Sequence, residues 1–330
     1  METLTSNPTE FGRGEGGAPR GRTNDLWIDT SFRVVALGAG LSVLAILALI
    51  AYVTTKQAWP VFSRDGVGFV TGTKWDPTNN RFGALPFICG TAVASSIALV
   101  LAVPLSFGIA LFTNELAPRG LRRAVIYIVD LLAAIPSVVY GLWALAVLEQ
   151  PAQTVYRRIA DTVGKLPLLD RVFGGPTYGA SLMTAGIVLA VMMIPIVTAI
   201  SREVLATVSQ DDKNAALAMG ATRWEMLRAC VFPRAKSGLV GAVMLGMGRA
   251  LGETIAVALV IGANQKVSSH IFQPGDSTAA VIAHEFGEAA STPLYRSALI
   301  GLAVLLFAFT LLVNVLARWF TSRSDPMAAR

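Results

Sequence analysis

The sequence predicts an all-α, polytopic membrane protein with six transmembrane helices. Of its 330 residues, 54% are hydrophobic and only 15% are charged, whereas soluble domains have about 25% charged residues. Four uncharged runs each reach or exceed the ~20 residues that a helix needs to cross a bilayer, and charges interrupt two further apolar runs. The uncharged runs are residues 34–53, 84–114, 174–201 and 297–317, and the interrupted ones are residues 124–148 and 237–263.

The distribution of polar residues predicts where the chain lies relative to the membrane. We expect a disordered cytoplasmic tail over residues 1–30, a transmembrane domain over 31–320 and a cytoplasmic C-terminal tail over 321–330. Lys and Arg exceed Asp and Glu by a net charge of +6. In a membrane protein this excess indicates orientation rather than a nucleic-acid partner, and its modest bias favours cytoplasmic N- and C-termini.

The segments predicted outside the bilayer carry few distinctive signals. Trp59 and Trp75 suit an interfacial aromatic belt. An insertion over residues 149–180 is predicted to hold an amphipathic helix near 154–163. A helix near 276–290, with Glu285 and Glu288, is expected to present a solvated acidic face. Asp130 interrupts the third apolar run, where it is expected either to pair with a basic residue or to have a functional role.

Cysteine, histidine and glycine usage argues against a metal centre and a nucleotide site. Cys89 and Cys230 lie near opposite membrane surfaces, so no disulfide between them is feasible. With only two histidines, no ligand cluster for a metal is expected. Gly164-Lys165 lacks the other residues of a phosphate-binding loop. We therefore expect a protein that is not an enzyme, has no cofactor, and depends on another chain for any ATP hydrolysis.

The most informative polar stretch is residues 209–233, between two long apolar runs. Ser209 and Asp212 form a capping pattern at a first short helix, and Gly220 is a natural left-handed C-cap. Thr222 and Glu225 then form a capping box at the start of a second helix. A capped helix pair with an alanine-rich face predicts a docking element, whereas a plain loop between spans needs no such construction.

A second cluster lies inside the fifth apolar run. Arg249 and Glu253 are four residues apart, so a continuous helix would place them on one face, beside Gly248 and Gly252 in a small-xxx-small pattern. They are either a neutralised pair that fixes helix register, or an anion site in which arginine holds an oxyanion and glutamate disfavours sulfate against protonated phosphate. Pro136-Ser137 in the third run either simply kinks the helix or provides polar groups that a substrate contacts on its path.

The polar stretch of residues 209–233 resembles the conserved cytoplasmic loop of ABC-importer permeases. The resemblance is carried by Asn214-Ala215-Ala216, Gly220 and Pro233, although the family's acidic first residue is Asn214 here. Two further elements resemble the C-type permease subunits of high-affinity phosphate importers. These elements are Arg249-Ala250-Leu251-Gly252-Glu253-Thr254 and Ile135-Pro136-Ser137-Val138-Val139-Tyr140-Gly141.

This resemblance implies a type I ABC-importer permease in the bacterial inner membrane that moves inorganic phosphate into the cytoplasm. It implies a heterodimer with a homologous second permease, two cytoplasmic ATPase subunits, an extracytoplasmic phosphate-binding protein and a lipid surround. The coupling loop would span residues 206–236. The implied substrate-path residues are Arg249, Glu253, Ser137 and Thr254, and the implied ATPase-coupling residues are Asn214, Ala215, Ala216, Gly220, Thr222 and Glu225.

Three other functions remain open from the residues alone. The chain could be a permease for sulfate, molybdate or another oxyanion. It could be an ion-coupled secondary transporter, but that reading leaves the docking loop unexplained and no inverted repeat is evident. It could also report phosphate status as a signalling membrane protein.

Overall fold

The computed structural model describes residues 22–167 and 169–323, which are almost entirely helical. The α-helices are α1 (Arg22–Asp65), α2 (Val67–Thr71), α3 (Leu85–Leu111), α4 (Arg119–Ala134), α5 (Ser137–Trp143), α6 (Glu149–Thr162), α7 (Asp170–Phe173), α8 (Leu182–Ala206), α9 (Gln210–Ala218), α10 (Arg223–Met226), α11 (Phe232–Gly252), α12 (Ile255–Val260), α13 (Thr278–Glu285) and α14 (Pro293–Arg323). Wider π-helical turns occupy Phe112–Leu116, Ala144–Leu148 and Leu227–Val231, and 3₁₀ turns occupy Val163–Lys165 and Glu288–Ser291. A two-residue hairpin pairs β1 (Trp75–Asp76) with β2 (Arg81–Phe82) in antiparallel register.

The two ends of the chain differ from the predicted tails where they are described. Helix α1 begins at Arg22, within the predicted tail, and α14 continues to Arg323. Residues 1–21 and 324–330 of the predicted tails lie outside the described residues. The chain divides after Val53 into two units. In the first unit, every side chain from Thr30 to Ile50 is exposed.

The predicted count of six spans is not confirmed. Four described helical stretches are long and apolar enough to cross a membrane, and α4 with the helix that follows Pro136 would make a fifth span, bent by 93°. The predicted span over 237–263 is absent from this set, and the chain there divides between α11 and α12 at Glu253 and Thr254. The four stretches are Thr30–Asp65, Leu85–Leu116, Leu182–Ala206 and Pro293–Trp319.

Small residues make the central helix contacts. Helix α3 packs along α8, where Gly186 lies so close to Ile97 that an added Cβ would meet the isoleucine Cγ2 at 2.5 Å. Moving an apolar side chain from lipid to a helix interface gives no hydrophobic stabilisation, because both surroundings are apolar. Close van der Waals contact between small residues therefore stabilises the helix packing. Helix α8 runs through Pro195 without a break and also packs against α11. The shared core is rich in alanine, including Ala94, Ala98, Ala102, Ala185, Ala190, Ala242, Ala250 and Ala256.

A second, aromatic cluster corrects the prediction for Trp75. Trp75 is only 7% exposed and packs edge-on against Phe82 and Phe87. Its indole N–H donates to Oε2 of Glu285 at 2.8 Å. Trp75 is therefore a core residue with a satisfied polar end, whereas Trp59 is 65% exposed, as an interfacial residue requires.

The predicted solvated acidic face is wrong for Glu285, whereas Glu288 is exposed as predicted. The helical turn there is shorter than expected, because α13 ends at Glu285 and a 3₁₀ turn follows from Glu288. Glu285 accepts hydrogen bonds from Trp75, from the Tyr295 hydroxyl at 2.6 Å and from Gln265 Nε2 at 2.5 Å. This carboxylate thus ties α13 to the hairpin, to α14 and to the loop after α12.

Asp276, just before α13, is buried with only 3% exposure. Burial raises the pKa of this carboxyl from 3.8 to about 7, and the nearby charge of Glu285 adds to that effect. His284 Nδ1 lies 3.9 Å from Asp276 Oδ2, and the Ser277 N–H donates to Oδ1 at 2.8 Å. Near neutral pH this site therefore holds a carboxyl that is only partly ionised.

Replacing Asp276 with Asn should stabilise the protein strongly at about pH 8 and much less at about pH 4. The pKa is higher in the folded state than in the unfolded state. The stability linked to protonation is therefore fully present below about pH 4, falls progressively as pH rises, and is lost above about pH 7. A shift of this size corresponds to at most about 4 kcal/mol at the higher pH. Thermal unfolding at both pH values measures it, with the exposed Asp161→Asn as control. Equal gains at both pH values would contradict the assignment.

Candidate functional site

The bend between α4 and α5 is built by Pro136 and repaired by Tyr140. Proline has no N–H, so the carbonyl four residues earlier, that of Leu132, loses its helical partner. The Tyr140 hydroxyl donates to this carbonyl at 2.7 Å. This hydrogen bond satisfies the freed carbonyl and so stabilises the bend within the apolar interior. Ser137, a predicted path residue, begins α5 at the bend and is half-buried.

Helix α5 packs directly on α12. An added Cβ on Gly141 would lie 2.8 Å from the Cα of Ala256, so only glycine permits this approach. Each of these two helices follows a break in an apolar run, at Pro136 in one and at Glu253 in the other. The contact therefore joins the second halves of two broken spans.

Glu253 does not share a helix face with Arg249, contrary to the sequence prediction. Helix α11 ends at Gly252, and Glu253 has an extended backbone with φ −69° and ψ 126°. Its Oε1 accepts from the Ala256 N–H at 3.5 Å, at the start of α12. With Thr91, Ser95 and Ser277, it lines a cavity of about 10 Å³. This volume holds at most one water. Thr254 lies at the same break and donates to the Gly252 carbonyl at 3.2 Å.

Arg249 faces a different space. Its exposed side chain lines an open cleft of about 910 Å³ between α8, α11 and α14, together with Asn314 and Arg318. No ion pair joins Arg249 to Glu253 in the part of the chain that the structure describes. The register-fixing pair considered from the sequence is therefore absent. Gly248 and Gly252 have nothing within 4 Å of an added Cβ, so the predicted small-xxx-small surface is open in the single chain.

Asp130 is exposed near the end of α4. It has no ion pair among the described residues, so the predicted pairing with a basic side chain is not observed.

The predicted helix pair of the coupling loop is confirmed. Ser209 caps α9 by accepting from the Asp211 N–H at 3.2 Å, one residue before the predicted position. Gly220 has φ +88°, a left-handed conformation that disfavours side chains with a Cβ. Thr222 and Glu225 form the capping box, with the Thr222 N–H donating to Glu225 Oε2 at 2.8 Å and the Glu225 N–H donating to Thr222 Oγ1 at 3.3 Å.

Two ion pairs, which sequence reasoning missed, fix the coupling loop to neighbouring helices. Lys213 is 4% exposed, and its Nζ lies 2.6 Å from Glu115 Oε1 in the turn that extends α3. Asp212 pairs with Arg234 at the start of α11. Lys213 lies three residues before the buried Ala216 and so on the same helix face. That spacing could have indicated burial, but not a partner 98 residues away.

The outer face of the loop combines predicted polar residues with apolar side chains that the sequence analysis did not single out. Asn214, Ala215, Gly220, Thr222 and Glu225 are exposed, whereas Ala216 is buried. Three large apolar side chains project beside them. These are Leu217 (40% exposed), Met219 (86%) and Trp224 (61%). An exposed apolar patch with a polar rim is typical of a protein-docking surface.

Comparisons with curated proteins give close relatives along nearly the whole chain. Phosphate transport system permease proteins PstC match from Xylella fastidiosa (44% identical, 92% of this chain and 94% of the relative) and from Mesorhizobium japonicum (41%, 90% and 91%). PstC 2 of Mycobacterium tuberculosis is 40% identical, over 87% of this chain and 90% of the relative.

Solved structures give the same fold at low identity. A bacterial alginate ABC transporter, in complex with an alginate-bound periplasmic protein, aligns with a TM-score of 0.59 at 16% identity, over 91% of this chain and 98% of its own. The inward-facing MetNI methionine ABC transporter aligns with a TM-score of 0.51 at 19% identity, over 73% and 94%. The family model for the inner membrane component of binding-protein-dependent transport systems matches residues 102–326. Fold and sequence agree: the chain belongs to the family of binding-protein-dependent inner membrane transport components.

Proposed function

We propose that this chain is the permease subunit that translocates inorganic phosphate in an ATP-driven importer. The observation that carries the proposal is the similarity to phosphate permeases of about 40% identity over some nine-tenths of both chains. Such coverage includes the whole membrane domain rather than the coupling loop alone. The chain therefore shares with these relatives the regions that would select a substrate as well as those that would contact an ATPase.

Arg249 is the candidate phosphate ligand. Its guanidinium stays charged at every relevant pH and offers a planar fork of donors to a tetrahedral oxyanion. An exposed arginine in an apolar run is costly unless it faces water or protein. The open cleft beside it, and the uncovered glycines of α11, suit a second permease whose approach would enclose the path between two chains.

Glu253, Ser137 and Thr254 would act at the helix breaks rather than beside Arg249. Broken helices offer backbone groups to a polar substrate in the bilayer interior. The cavity beside Glu253 is too small for phosphate here, so these residues could reach a substrate only after α12 moves. Because α12 packs on α5, such a motion would shift both breaks together.

The coupling loop is suited to transmit motion from ATPase subunits. Its exposed Leu217, Met219 and Trp224 would enter a groove on the ATPase, and the ion pairs of Lys213 and Asp212 link the loop to α3 and α11. Docking requires that the loop face the cytoplasm of a bacterial inner membrane, and with six spans both termini would face it as well. An extracytoplasmic phosphate-binding protein would deliver the substrate to the other side.

Arg249→Lys should reduce phosphate uptake about tenfold or more, because an ammonium keeps the charge but loses the bidentate fork. Uptake of radiolabelled phosphate in cells or liposomes with matched protein levels measures the change. Arg122→Lys, on the exposed surface of α4, is the control and should leave uptake unchanged.

Competition by sulfate in the same assay tests the substrate class. Glu253→Gln keeps the acceptor that caps α12 but removes the charge, so stronger inhibition by sulfate is expected. If the Arg249→Lys variant takes up phosphate at the wild-type rate, Arg249 is not the phosphate ligand. Preferred uptake of sulfate or molybdate by the wild type would contradict phosphate as the substrate.

Gly220→Val should uncouple transport from ATP hydrolysis without preventing membrane insertion. A β-branched residue at φ +88° is strained, and the two short helices would be misaligned. Gly220→Asn should retain most activity because asparagine tolerates the left-handed region. Gly120→Val, at another open glycine without positive φ, controls for added volume. Co-purification with the ATPase and substrate-stimulated hydrolysis are the readouts, and normal coupling in Gly220→Val would count against docking.

Lys213→Met should weaken coupling more than the double variant Lys213→Met/Glu115→Gln. Removing one partner leaves an uncompensated buried charge, which costs about 3–5 kcal/mol, whereas removing both charges is often nearly neutral. ATPase stimulation and thermal stability of the single and double variants measure the difference. Equal losses in both would show that the pair does not act as a unit.

A further inference from the structure

A basic cleft lies where α1 ends, away from the residues assigned to the substrate path. It has a volume of about 530 Å³ and is bounded by the end of α1, by α2 and by the β1–β2 hairpin. Its charged side chains are Arg64, Asp65, Lys74 and Arg81. Three glycines, Gly68, Gly72 and Gly83, also line it, together with Phe82.

The charges of this cleft do not cancel. Arg64 Nε lies 3.6 Å from Asp65 Oδ1 and accounts for one neutralised pair. Lys74 and Arg81 have no ion pair among the described residues, and both are exposed. The other nearby carboxylate, Asp76, accepts from the backbone and side chain of Asn79 at 3.2 and 2.7 Å and does not line the cleft. The side chains that line the cleft therefore carry a net charge of +2, which is offset only in part by Asp76, whose pKa the hydrogen bonds from Asn79 and the charge of Arg81 lower.

The position along α1 places the cleft at the membrane surface. Trp59 is 65% exposed, as suits a residue at the boundary between hydrocarbon and headgroups. Arg64 follows five residues later on the same helix, about 7.5 Å farther along its axis at 1.5 Å per residue. Val67 is 76% exposed beside the cleft. A concave cationic site beside exposed apolar side chains at this level matches the phosphate and glycerol region of a lipid.

We propose that the cleft of Arg64, Lys74 and Arg81 binds a phosphate group, either in the headgroup of an anionic phospholipid or as free inorganic phosphate. Arginine and lysine at the membrane surface each attract anionic headgroups, and the two arginines offer planar donors to phosphate oxygens. Val67, beside the cleft, and Trp59, earlier on α1, favour the lipid source, because acyl chains would contact these exposed side chains. The site is independent of Arg249 and of the proposed transport activity.

The test compares two variants that each remove two arginines and one lysine. One is Arg64→Gln/Lys74→Gln/Arg81→Gln in the cleft. The control is Arg157→Gln/Arg158→Gln/Lys165→Gln on the exposed surface around α6. The full chain is purified in nanodiscs that contain phosphatidylglycerol, transferred to detergent, and its retained lipid is counted by native mass spectrometry. In a second arm, radiolabelled inorganic phosphate is bound to each variant in purely zwitterionic nanodiscs.

We expect the cleft variant to retain about tenfold less phosphatidylglycerol than the wild type, and the control to retain the wild-type amount. A selective loss in the inorganic phosphate arm alone would assign the site to the free ion. Equal retention by the cleft and control variants in both arms would overturn the proposal. Size-exclusion profiles verify that both variants are folded. Neither arm measures transport, so failure here is distinct from failure of the proposed function.

Discussion

The structure depends on a single constraint: a helix that breaks inside an apolar run must satisfy its freed backbone groups with local partners. Water is not available there to pair with an orphaned carbonyl or N–H. At the first break, the Tyr140 hydroxyl pairs with the carbonyl left free by Pro136. At the second, the Glu253 side chain accepts from the first turn of α12. The two breaks are thus defined elements with fixed geometry, and α5 and α12 can pack together because each begins at one of them.

The coupling loop obeys a related requirement at the membrane surface. Its outward face exposes the apolar side chains of Leu217, Met219 and Trp224, whereas its inward face must be held against the membrane helices. Lys213 and Asp212 meet this need through Glu115 and Arg234, which belong to different helices. A displacement of the loop is therefore passed to two helices at once rather than absorbed by a flexible connection.

Much of this architecture follows from local sequence. Capping residues, a left-handed glycine and apolar run length act within a few residues, so the helix pair around Gly220 and most spans could be predicted. Pairings between residues far apart in the chain were not predicted. From its sequence neighbours Glu285 is expected to be solvated, but Trp75 and Tyr295 donate hydrogen bonds to it. Lys213 is likewise expected at the surface, but it is buried in an ion pair with Glu115. Arg249 and Glu253 have perfect helical spacing, but the backbone turns at Glu253, and no nearby proline marks that turn.

The pairing of Lys213 with Glu115 also imposes an order on biogenesis. The two residues are 98 positions apart, so the loop cannot take its final orientation until α3 is inserted and every helix between them has been synthesised. Closing so long a segment is an entropic cost that only the completed contacts offset. The exposed apolar face of the loop therefore takes its final orientation late, and a partly synthesised chain does not yet present it.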